Sequence, residues 1–172
     1  MTEATPRGIR NNNPGNLAYI ANDPFEGQLG LEVLPPEEIA AGHRPRFGRY
    51  ETPFYGLRAL GCQLLIDQDR YKLTTPRTIL IRYAPESEND TGAYIADVDA
   101  ALQRLEQHMD LGPDSAIDLH DEGTLESFMK AVIKHEDGSD PYSDVVLDGA
   151  AEAALKAHPP APPAGDKAGS AA

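Results

Sequence analysis

The amino-acid sequence predicts a mainly α-helical (α+β) protein with one small β-hairpin lobe. Thr52-Pro53 and Thr75-Pro76 are typical helix starts, and apolar residues recur at helical spacing through most of the chain after residue 50. Residues 15–50 are instead rich in Asn, Pro and Gly. With 172 residues, 40% of them apolar, the chain can form one domain with a core. We expect that domain at 1–157 and a disordered Pro- and Ala-rich tail at 158–172.

The predicted β-lobe lies within residues 15–50. Short runs at residues 16–20 and 46–50 have the composition of strands, and the residues around them favour turns. We expect these two strands to form a small hairpin. A loop is expected over residues 34–43, because two prolines and a glycine break regular structure there.

Two helices are expected directly after this lobe. Thr52 and Thr75 are each followed by proline, which is the pattern of an N-cap with proline at the first helical position. The first helix keeps apolar residues at helical spacing to about residue 69. The second has a two-turn apolar stripe that ends at Tyr83, because Pro85 cannot continue the helix.

Three further helices complete the predicted helical lobe. Each begins near a residue that favours an N-cap and continues as an apolar stripe. Gly-Pro ends the first of them, and a glycine ends the second. Their expected limits are Asp90 or Thr91 to Met109, Thr124 to the residue before Gly138, and Asp144 or Val145 to about residue 156.

Charge and segment composition exclude several classes of protein. Fifteen Lys and Arg against 28 Asp and Glu give a net charge of −13, which would repel nucleic acid. No apolar run approaches the ~20 residues of a membrane span, and the first ten residues lack the apolar core of a secretory signal. The single cysteine, Cys62, excludes an internal disulfide, and its position on a helix favours a buried thiol over a nucleophile.

The motifs give no support to metal or cofactor chemistry. Ser139 stands where a second histidine would complete the zinc-peptidase motif that His135-Glu136 begins. The five histidines share no ligand spacing, and the acidic segment 137–144 lacks the alternation of a calcium loop. No glycine-rich phosphate loop is present. We therefore expect neither a metal ion nor a cofactor.

Glu136 is the strongest candidate for chemistry. It lies three residues after Ile133 and four after Val132, so it continues the apolar face of its helix at the C-terminal end. Burial and the negative end of the helix dipole both favour a protonated carboxyl at this position. A glycosidase needs such a carboxyl as its general acid. From spacing alone, a frayed helix end with a solvated Glu136 is an open alternative.

The asparagine-rich segment RGIRNNNPGNL, residues 7–17, is the most unusual part of the chain. Asparagine side chains bond neighbouring backbone and tolerate left-handed conformations, and Pro-Gly makes a tight turn. A rigid, uncharged amide surface of this kind suits sugar hydroxyl and acetamido groups. A structural turn that positions the first strand is an equally open interpretation.

Several segments, in order, resemble lysozyme-like peptidoglycan hydrolases of phages and prophages, including virion-associated lytic proteins. The lytic transglycosylases and goose-type lysozymes belong to the same superfamily. The similarity covers about residues 6–155. The segments that support it are RGIRNNNPGNL (7–17), RFGRY (46–50), GLRAL (56–60), RYAPESENDT (82–91) with Tyr94-Ile95, HEDG (135–138) and PYSD (141–144).

The resemblance implies a lysozyme-like fold with a glycan cleft between the helical lobe and the hairpin lobe. It implies cleavage of the β-1,4 bond between N-acetylmuramic acid and N-acetylglucosamine, with Glu136 as the catalytic general acid. In such enzymes the hairpin segment follows the catalytic glutamate, whereas here the asparagine segment comes first. We infer a circular permutation, in which the helix that ends at Glu136 packs beside residues 11–16.

The other site residues are expected to contact substrate or to supply a second carboxylate. Four carboxylates are candidates for the second catalytic group, although each also suits a cap or a loop: Glu51, Glu86, Glu88 and Asp90. Glu26, within FEGQ at residues 25–28, departs from the usual pattern and is expected to alter the cleft rim. Any electrostatic steering of the protein towards an anionic cell wall would have to come from local basic residues, which are Arg7, Arg10, Arg44, Arg46 and Arg49. The expected substrate-binding residues are Asn11, Asn12, Asn13, Asn16, Tyr83, Asn89, Tyr94 and Tyr142.

The expected partners are bacterial peptidoglycan and other virion proteins, with no nucleic acid and no membrane span. Without a signal peptide, we expect a virion-associated protein, or a cytoplasmic one until release, that acts on the periplasmic cell wall. One alternative is a catalytically inactive virion structural or cell-wall-binding protein with the same fold, and another is a secreted toxin. The sequence leaves hydrolysis and transglycosylation open.

Overall fold

The computed structural model of the protein describes residues 5–22, 24–84, 90–105 and 110–160. Within these residues the chain is mainly helical with one small antiparallel hairpin, which confirms the predicted fold class. The elements in chain order are α1 (Arg7–Arg10), β1 (Gln28–Leu31), α2 (Pro36–Ala40), β2 (Gly48–Tyr50), α3 (Pro53–Tyr71), α4 (Pro76–Tyr83), α5 (Thr91–Leu102), α6 (Glu122–Asp137) and α7 (Asp144–Ala157).

The main apolar core lies among the long helices. α3 packs along α7, and α5 packs along α6. Their apolar stripes meet in one cluster of fully buried side chains that includes Leu64, Val98, Phe128 and Leu147. Cys62 belongs to this cluster, which confirms the prediction that its thiol is buried. Burial raises the pKa of this thiol to about 11. None of the described helices is both long enough and apolar enough to cross a membrane.

Local sequence signals define most helix ends. Thr75 and Thr78 form a reciprocal capping box at the start of α4. The expected start of α6 at Thr124 is wrong by two residues, because the Asp121 carboxylate accepts the Thr124 backbone N–H at 2.9 Å and is the N-cap. Ser143 is the N-cap of α7, and Asp144 is the first residue of that helix.

α5 is shorter than its apolar stripe predicts. The helix ends at Leu102, and the chain turns at Gln103, whose side-chain amide donates to the Leu111 carbonyl oxygen at 2.8 Å. Residues 103–105 form a turn and a bend and not a continuation of the helix. The predicted end at Met109 lies outside the described residues.

β2 lies within the second expected strand, 46–50, but its partner in the hairpin is β1 and not residues 16–20. β1 and β2 pair antiparallel, with Gln28 opposite Tyr50 and Leu31 opposite Gly48. Residues 16–20 do not form a strand and contribute only an isolated bridge between Ala18 and Phe47. The expected loop at 34–43 contains α2.

Side-chain amides supply part of the backbone hydrogen bonding of residues 16–20. The Asn13 side chain bonds both the N–H and the C=O of Leu17, at 2.9 Å each. The Gln28 side chain does the same for Ile20, donating to its C=O at 2.6 Å and accepting from its N–H at 3.3 Å. The segment also bonds the chain at β2 directly, because the Leu17 carbonyl accepts the Gly48 N–H and the Tyr19 N–H donates to the Arg46 carbonyl, each at 2.9 Å.

Candidate active site

The asparagine-rich turn is held on the first turns of α3. Asn12 and Asn16 have positive φ angles of 51° and 46°, a conformation that asparagine tolerates better than most residues. The Asn12 carbonyl lies so close to Gly56 of α3 that any side chain at position 56 would collide with it. Glycine in α3 and asparagine in the turn together permit this close packing.

Three of the asparagines bind protein rather than lining the cleft, so their expected role as sugar contacts needs correction. Asn11 is buried, and its amide donates to the Glu32 carboxylate at 3.2 Å. The Asn12 amide donates to the Tyr50 carbonyl at 3.1 Å. Asn13 is fully buried and, besides its bonds to Leu17, donates to the Gly48 carbonyl at 2.8 Å. For these three residues, the alternative interpretation of a structural turn is therefore the correct one.

Asn16 is the asparagine that reaches the chemical site. Its Nδ2 donates to Oε2 of Glu136 at 2.9 Å, across 120 residues of sequence. This contact places the turn beside the C-terminal end of α6, as the order of the motifs led us to expect. The bond fixes one oxygen of the carboxyl and leaves Oε1 for another partner.

Glu136 lies in the last turn of α6. The helix ends at Asp137, and Gly138 follows with φ of 71°, the left-handed conformation that glycine favours after a helix. The Glu136 side chain is half-buried, while Val132 and Ile133 behind it are fully buried. The predicted placement on the apolar face is therefore confirmed, and the carboxyl sits where core and solvent meet.

A cleft of about 580 Å³ opens in front of Glu136. The hairpin lobe and the turn line one side of it, and α3 and α4 line the other. Polar and charged groups dominate among the lining residues, which are Arg7, Gly15, Asn16, Leu17, Ala18, Arg46, Phe47, Gln63, Asp67, Arg82, Tyr83, Ala84 and Glu136.

The predicted tyrosines have different surroundings. Tyr83 lines the cleft, and its hydroxyl donates to the Gly15 carbonyl. Burial, with the Glu136 and Asp67 carboxylates nearby, raises the pKa of Tyr83 well above its ordinary value. Thus Tyr83 joins α4 to the turn and lies close to both acids.

Tyr94 is a core residue, which corrects its expected role in sugar contact. It is fully buried, with its ring stacked on His135 at 3.8 Å between centroids. Burial chiefly, and then Tyr83 and Glu136, raise the pKa of Tyr94. Tyr142 is half-buried with its hydroxyl out of solvent, so it is also not a cleft residue. Asn89 lies outside the described residues.

Asp137, next to Glu136, was not singled out by the sequence analysis. Its side chain is buried against Gly8 of α1, and neither carboxyl oxygen has a hydrogen bond of normal geometry among the described residues. Burial, reinforced by the charge of Glu136, raises the pKa of Asp137 to about 6, although the Gly8 backbone amide offsets part of the rise. Asp137 thus joins the end of α6 to the helix that precedes the asparagine turn.

Of the expected second carboxylates, the two that the structure describes do not reach the cleft. Glu51 is exposed beyond β2. Asp90 is the N-cap of α5, where its carboxylate accepts the Ala93 N–H at 3.1 Å. Glu86 and Glu88 lie outside the described residues. Glu26, expected at the cleft rim, pairs instead with Arg58 at 3.0 Å and is not a lining residue.

Asp67 is a carboxylate in the cleft that the sequence analysis missed. It is almost fully buried, and its Oδ1 accepts from Gln63 Nε2 and from Arg82 Nε, each at 3.0 Å. The signal was available, because Asp67 follows Leu64 by three residues on the apolar face of α3, as Glu136 follows Ile133 on α6. Burial raises the pKa of Asp67, although the bonds from Arg82 and Gln63 oppose the rise.

The predicted basic residues divide into two groups. Arg7 and Arg46 line the cleft, and both guanidinium groups lie over the Phe47 ring, at 5.2 and 4.6 Å. Arg7 and Arg10 also pair with Glu38, at 2.6 and 3.3 Å. Arg44 and Arg49 are exposed and do not line the cleft. The cleft therefore contains basic side chains, but Arg7 is paired with the carboxylates of Glu32 and Glu38.

These features define a mainly helical protein with an acid-containing cleft beside a small hairpin lobe. No family model matches the chain. The chain is similar to a phage protein, which supports the expected phage connection. This relative is Protein P5 of Pseudoalteromonas phage PM2, 32% identical over 141 residues, which are 80% of this chain and 74% of the relative. The chain belongs to the family of Protein P5.

Proposed function

We propose that the protein cleaves peptidoglycan glycan strands at the β-1,4 bond between N-acetylmuramic acid and N-acetylglucosamine. The observation that supports this most is the Glu136 carboxyl, half-buried in the wall of a cleft and fixed by Asn16 at 2.9 Å. A carboxyl that is oriented through one oxygen can deliver a proton from the other. The resemblance of several segments to lysozyme-like enzymes suggests the bond.

In this mechanism Glu136 is the general acid. The proton on Oε1 passes to the glycosidic oxygen while the bond from that oxygen to C1 of the muramic acid breaks. Water then attacks C1 and returns a proton to Glu136. In a transglycosylase, the 6-hydroxyl of the same sugar would attack instead and give a 1,6-anhydro end.

The cleft offers a path for a glycan strand. Its two sides belong to the hairpin lobe and to α3 and α4, so a strand lying between them would pass Glu136. The lining is polar, with amide and guanidinium donors that suit sugar hydroxyl and acetamido oxygens. The phage relative supports a setting in which a virion or a lysing cell delivers the protein to the wall.

The test compares the protein with Glu136→Gln on purified peptidoglycan sacculi. A general acid typically contributes about 10²–10⁴ in rate, so the variant should retain almost no turbidity loss. Glu51→Gln is a matched control, because Glu51 is exposed and outside the cleft, and should lyse like the wild type. Mass spectrometry of the products separates hydrolysis from transglycosylation.

Two outcomes would contradict the proposal. Full lysis by a folded Glu136→Gln protein would remove this residue from the mechanism. Binding of sacculi by the wild-type protein without any cleavage would favour the alternative of an inactive virion or wall-binding protein. Thermal melts of all three proteins would show that each variant is folded.

A further inference from the structure

We propose that Arg82 recognises a carboxylate of the substrate, at a subsite in the same cleft as Glu136. Among the described residues, Arg82 is a cleft-lining guanidinium that is fixed by protein contacts and still has hydrogen-bond donors to offer. That the carboxylate belongs to a glycan strand rests on the proposed function. The recognition of an anion by Arg82 rests on the geometry of the site alone.

The Arg82 guanidinium is held at one edge and on one face. Its Nε donates to Oδ1 of Asp67 at 3.0 Å. The guanidinium carbon, Cζ, lies 3.5 Å from the centroid of the Tyr71 ring, which is a close cation–π contact. An arginine held in this way loses little conformational freedom when it binds a ligand, because its side chain is already ordered.

Asp67 is suited to hold Arg82 and not to be displaced by a ligand. Its side chain is only 1% exposed, whereas the Arg82 side chain is 43% exposed. The Gln63 amide donates to the same carboxylate oxygen at 3.0 Å, so Asp67 is fixed from its own helix as well. Asp67 is therefore a positioning residue, and Arg82 is the group that meets solvent.

The edge of Arg82 that bears Nη1 and Nη2 is available for an anion. Within the described part of the chain these two nitrogens have no hydrogen-bond acceptor. Paired N–H groups of a guanidinium match the two oxygens of a carboxylate in a bidentate arrangement. Arg7 and Arg46 line the same cleft, where Arg7 is paired with Glu38 at 2.6 Å.

Glycan strands carry carboxylates on only one of their two sugars. N-acetylmuramic acid has a lactyl group, whose carboxylate is free in peptide-free strands, and its stem peptides supply carboxylates in intact strands. N-acetylglucosamine has none. A carboxylate subsite near Glu136 would therefore set the register of the strand, so that the bond on the correct side of the muramic acid meets the general acid.

The experiment measures binding of three fluorescently labelled ligands by anisotropy. They are peptide-bearing strands, amidase-treated strands with free lactyl groups, and chitin hexamers without carboxylates. The Glu136→Gln background keeps the strands intact during the measurement. Arg82→Gln is compared with Arg49→Gln, which removes an exposed arginine outside the cleft.

Arg82→Gln should weaken binding of carboxylate-bearing strands by about 10- to 100-fold, the effect of losing charge-assisted hydrogen bonds. Binding of chitin hexamers should not change, and Arg49→Gln should match the parent on all three ligands. A loss on amidase-treated strands alone identifies the lactyl carboxylate, a loss on intact strands alone identifies a stem-peptide carboxylate, and a loss on both shows that Arg82 accepts either one.

An equal loss on chitin hexamers, or no loss on any ligand, would overturn the proposal, as would a parent protein that binds none of the three. Because Arg82→Gln leaves the Asp67 carboxylate without its cation, the double variant Asp67→Asn/Arg82→Gln tests the same prediction in a protein without that buried charge. Failure of the wild-type protein to cut strands, with the Arg82 selectivity intact, would contradict the proposed function only.

Discussion

The helical lobe and the region around the asparagine-rich turn are stabilised in different ways. In the helical lobe, apolar side chains of α3, α5, α6 and α7 fill one buried cluster. Around the turn the apolar cluster is small, with Leu17, Tyr50 and Ala59 at its centre. Amide side chains there bond backbone groups that a larger sheet would otherwise pair. The first region depends on burial and the second on directional hydrogen bonds.

This difference matters for the candidate site, because each region contributes one part of it. Glu136 belongs to the helical lobe, where packing fixes the end of α6. Asn16 belongs to the turn, where the buried Asn13 carbonyl accepts the Asn16 backbone N–H at 2.9 Å. The general acid is thus placed by the core, and its orientation depends on a network of amides.

The largest expected effect comes from Gly56→Ala, which would separate the two regions. The added methyl group would collide with the Asn12 backbone carbonyl. Backbone cannot move aside as the end of a flexible side chain can, so we expect a loss of about 4 kcal/mol or more in the free energy of unfolding, measured by urea denaturation.

Gly149→Ala is the matched control for this prediction. It also replaces a helical glycine, but its methyl group would meet Phe54 at 3.8 Å, an ordinary contact. Alanine is the better helix former, so we expect a gain of about 0.5–1 kcal/mol. Equal stabilities for the two variants would mean that the turn does not rest on α3.

A smaller effect is expected from Asn13→Ala, which tests the hydrogen bonds of the turn. Removing the amide leaves the N–H of Leu17 and the carbonyls of Leu17 and Gly48 with one partner fewer. We expect a loss of about 3 kcal/mol in the free energy of unfolding, since a buried polar group without a partner costs about 1–3 kcal/mol.

Leu147→Ala gives the corresponding change in the helical lobe. Leu147 is fully buried in α7, away from the cleft, so its truncation should cost about 2–5 kcal/mol through the cavity that it leaves. Lysis by the folded fraction should fall only in Asn13→Ala, because only that variant disturbs Asn16. Equal lysis by both variants would show that the amide network does not orient Glu136.

The same difference explains what the sequence could predict. The five long helices were predictable, because apolar period and caps such as Thr75 are local signals, whereas the short helices α1 and α2 and the start of α6 were missed. The placement of Glu136 followed from the same period. The strand at 16–20 was wrongly predicted, because this segment pairs with residues 46–48 only through an isolated bridge, and the side chains of Asn13 and Gln28 supply its other bonds, which only the folded chain reveals. The predicted sugar-binding roles of Asn11, Asn12 and Asn13 were wrong for the same reason.

Residues at the junction of the two regions were the hardest to predict. Arg82 is polar and half-exposed, and nothing local distinguishes it from a surface arginine. Its partners Asp67 and Tyr71 lie on another helix, and Asp67 is 15 residues away in the sequence. Asp137 was overlooked because the apolar stripe of α6 leads to Glu136, and the side chain of the adjacent residue points in a different direction.

The effect of Asp137→Asn is expected to depend on pH and to vanish in acid. Burial raises the pKa of Asp137 from 3.8 to about 6, so the folded state binds a proton more tightly than the unfolded state. Its contribution to stability is fully present below pH 3.8 and is lost as pH rises through 6. Asparagine has no charge to bury and no such loss.

The stability of Asp137→Asn relative to the wild type should therefore be near zero at pH 4 and rise towards pH 8. One pKa unit corresponds to about 1.36 kcal/mol, which limits the gain to about 3 kcal/mol. Urea denaturation at four pH values measures it, with the exposed Asp110→Asn as control, for which the curve should be flat. A flat curve for Asp137→Asn as well would mean that water or a backbone amide satisfies the carboxylate. In that case the turn would be joined to α6 through Asn16 and Glu136, and not through a strained buried acid.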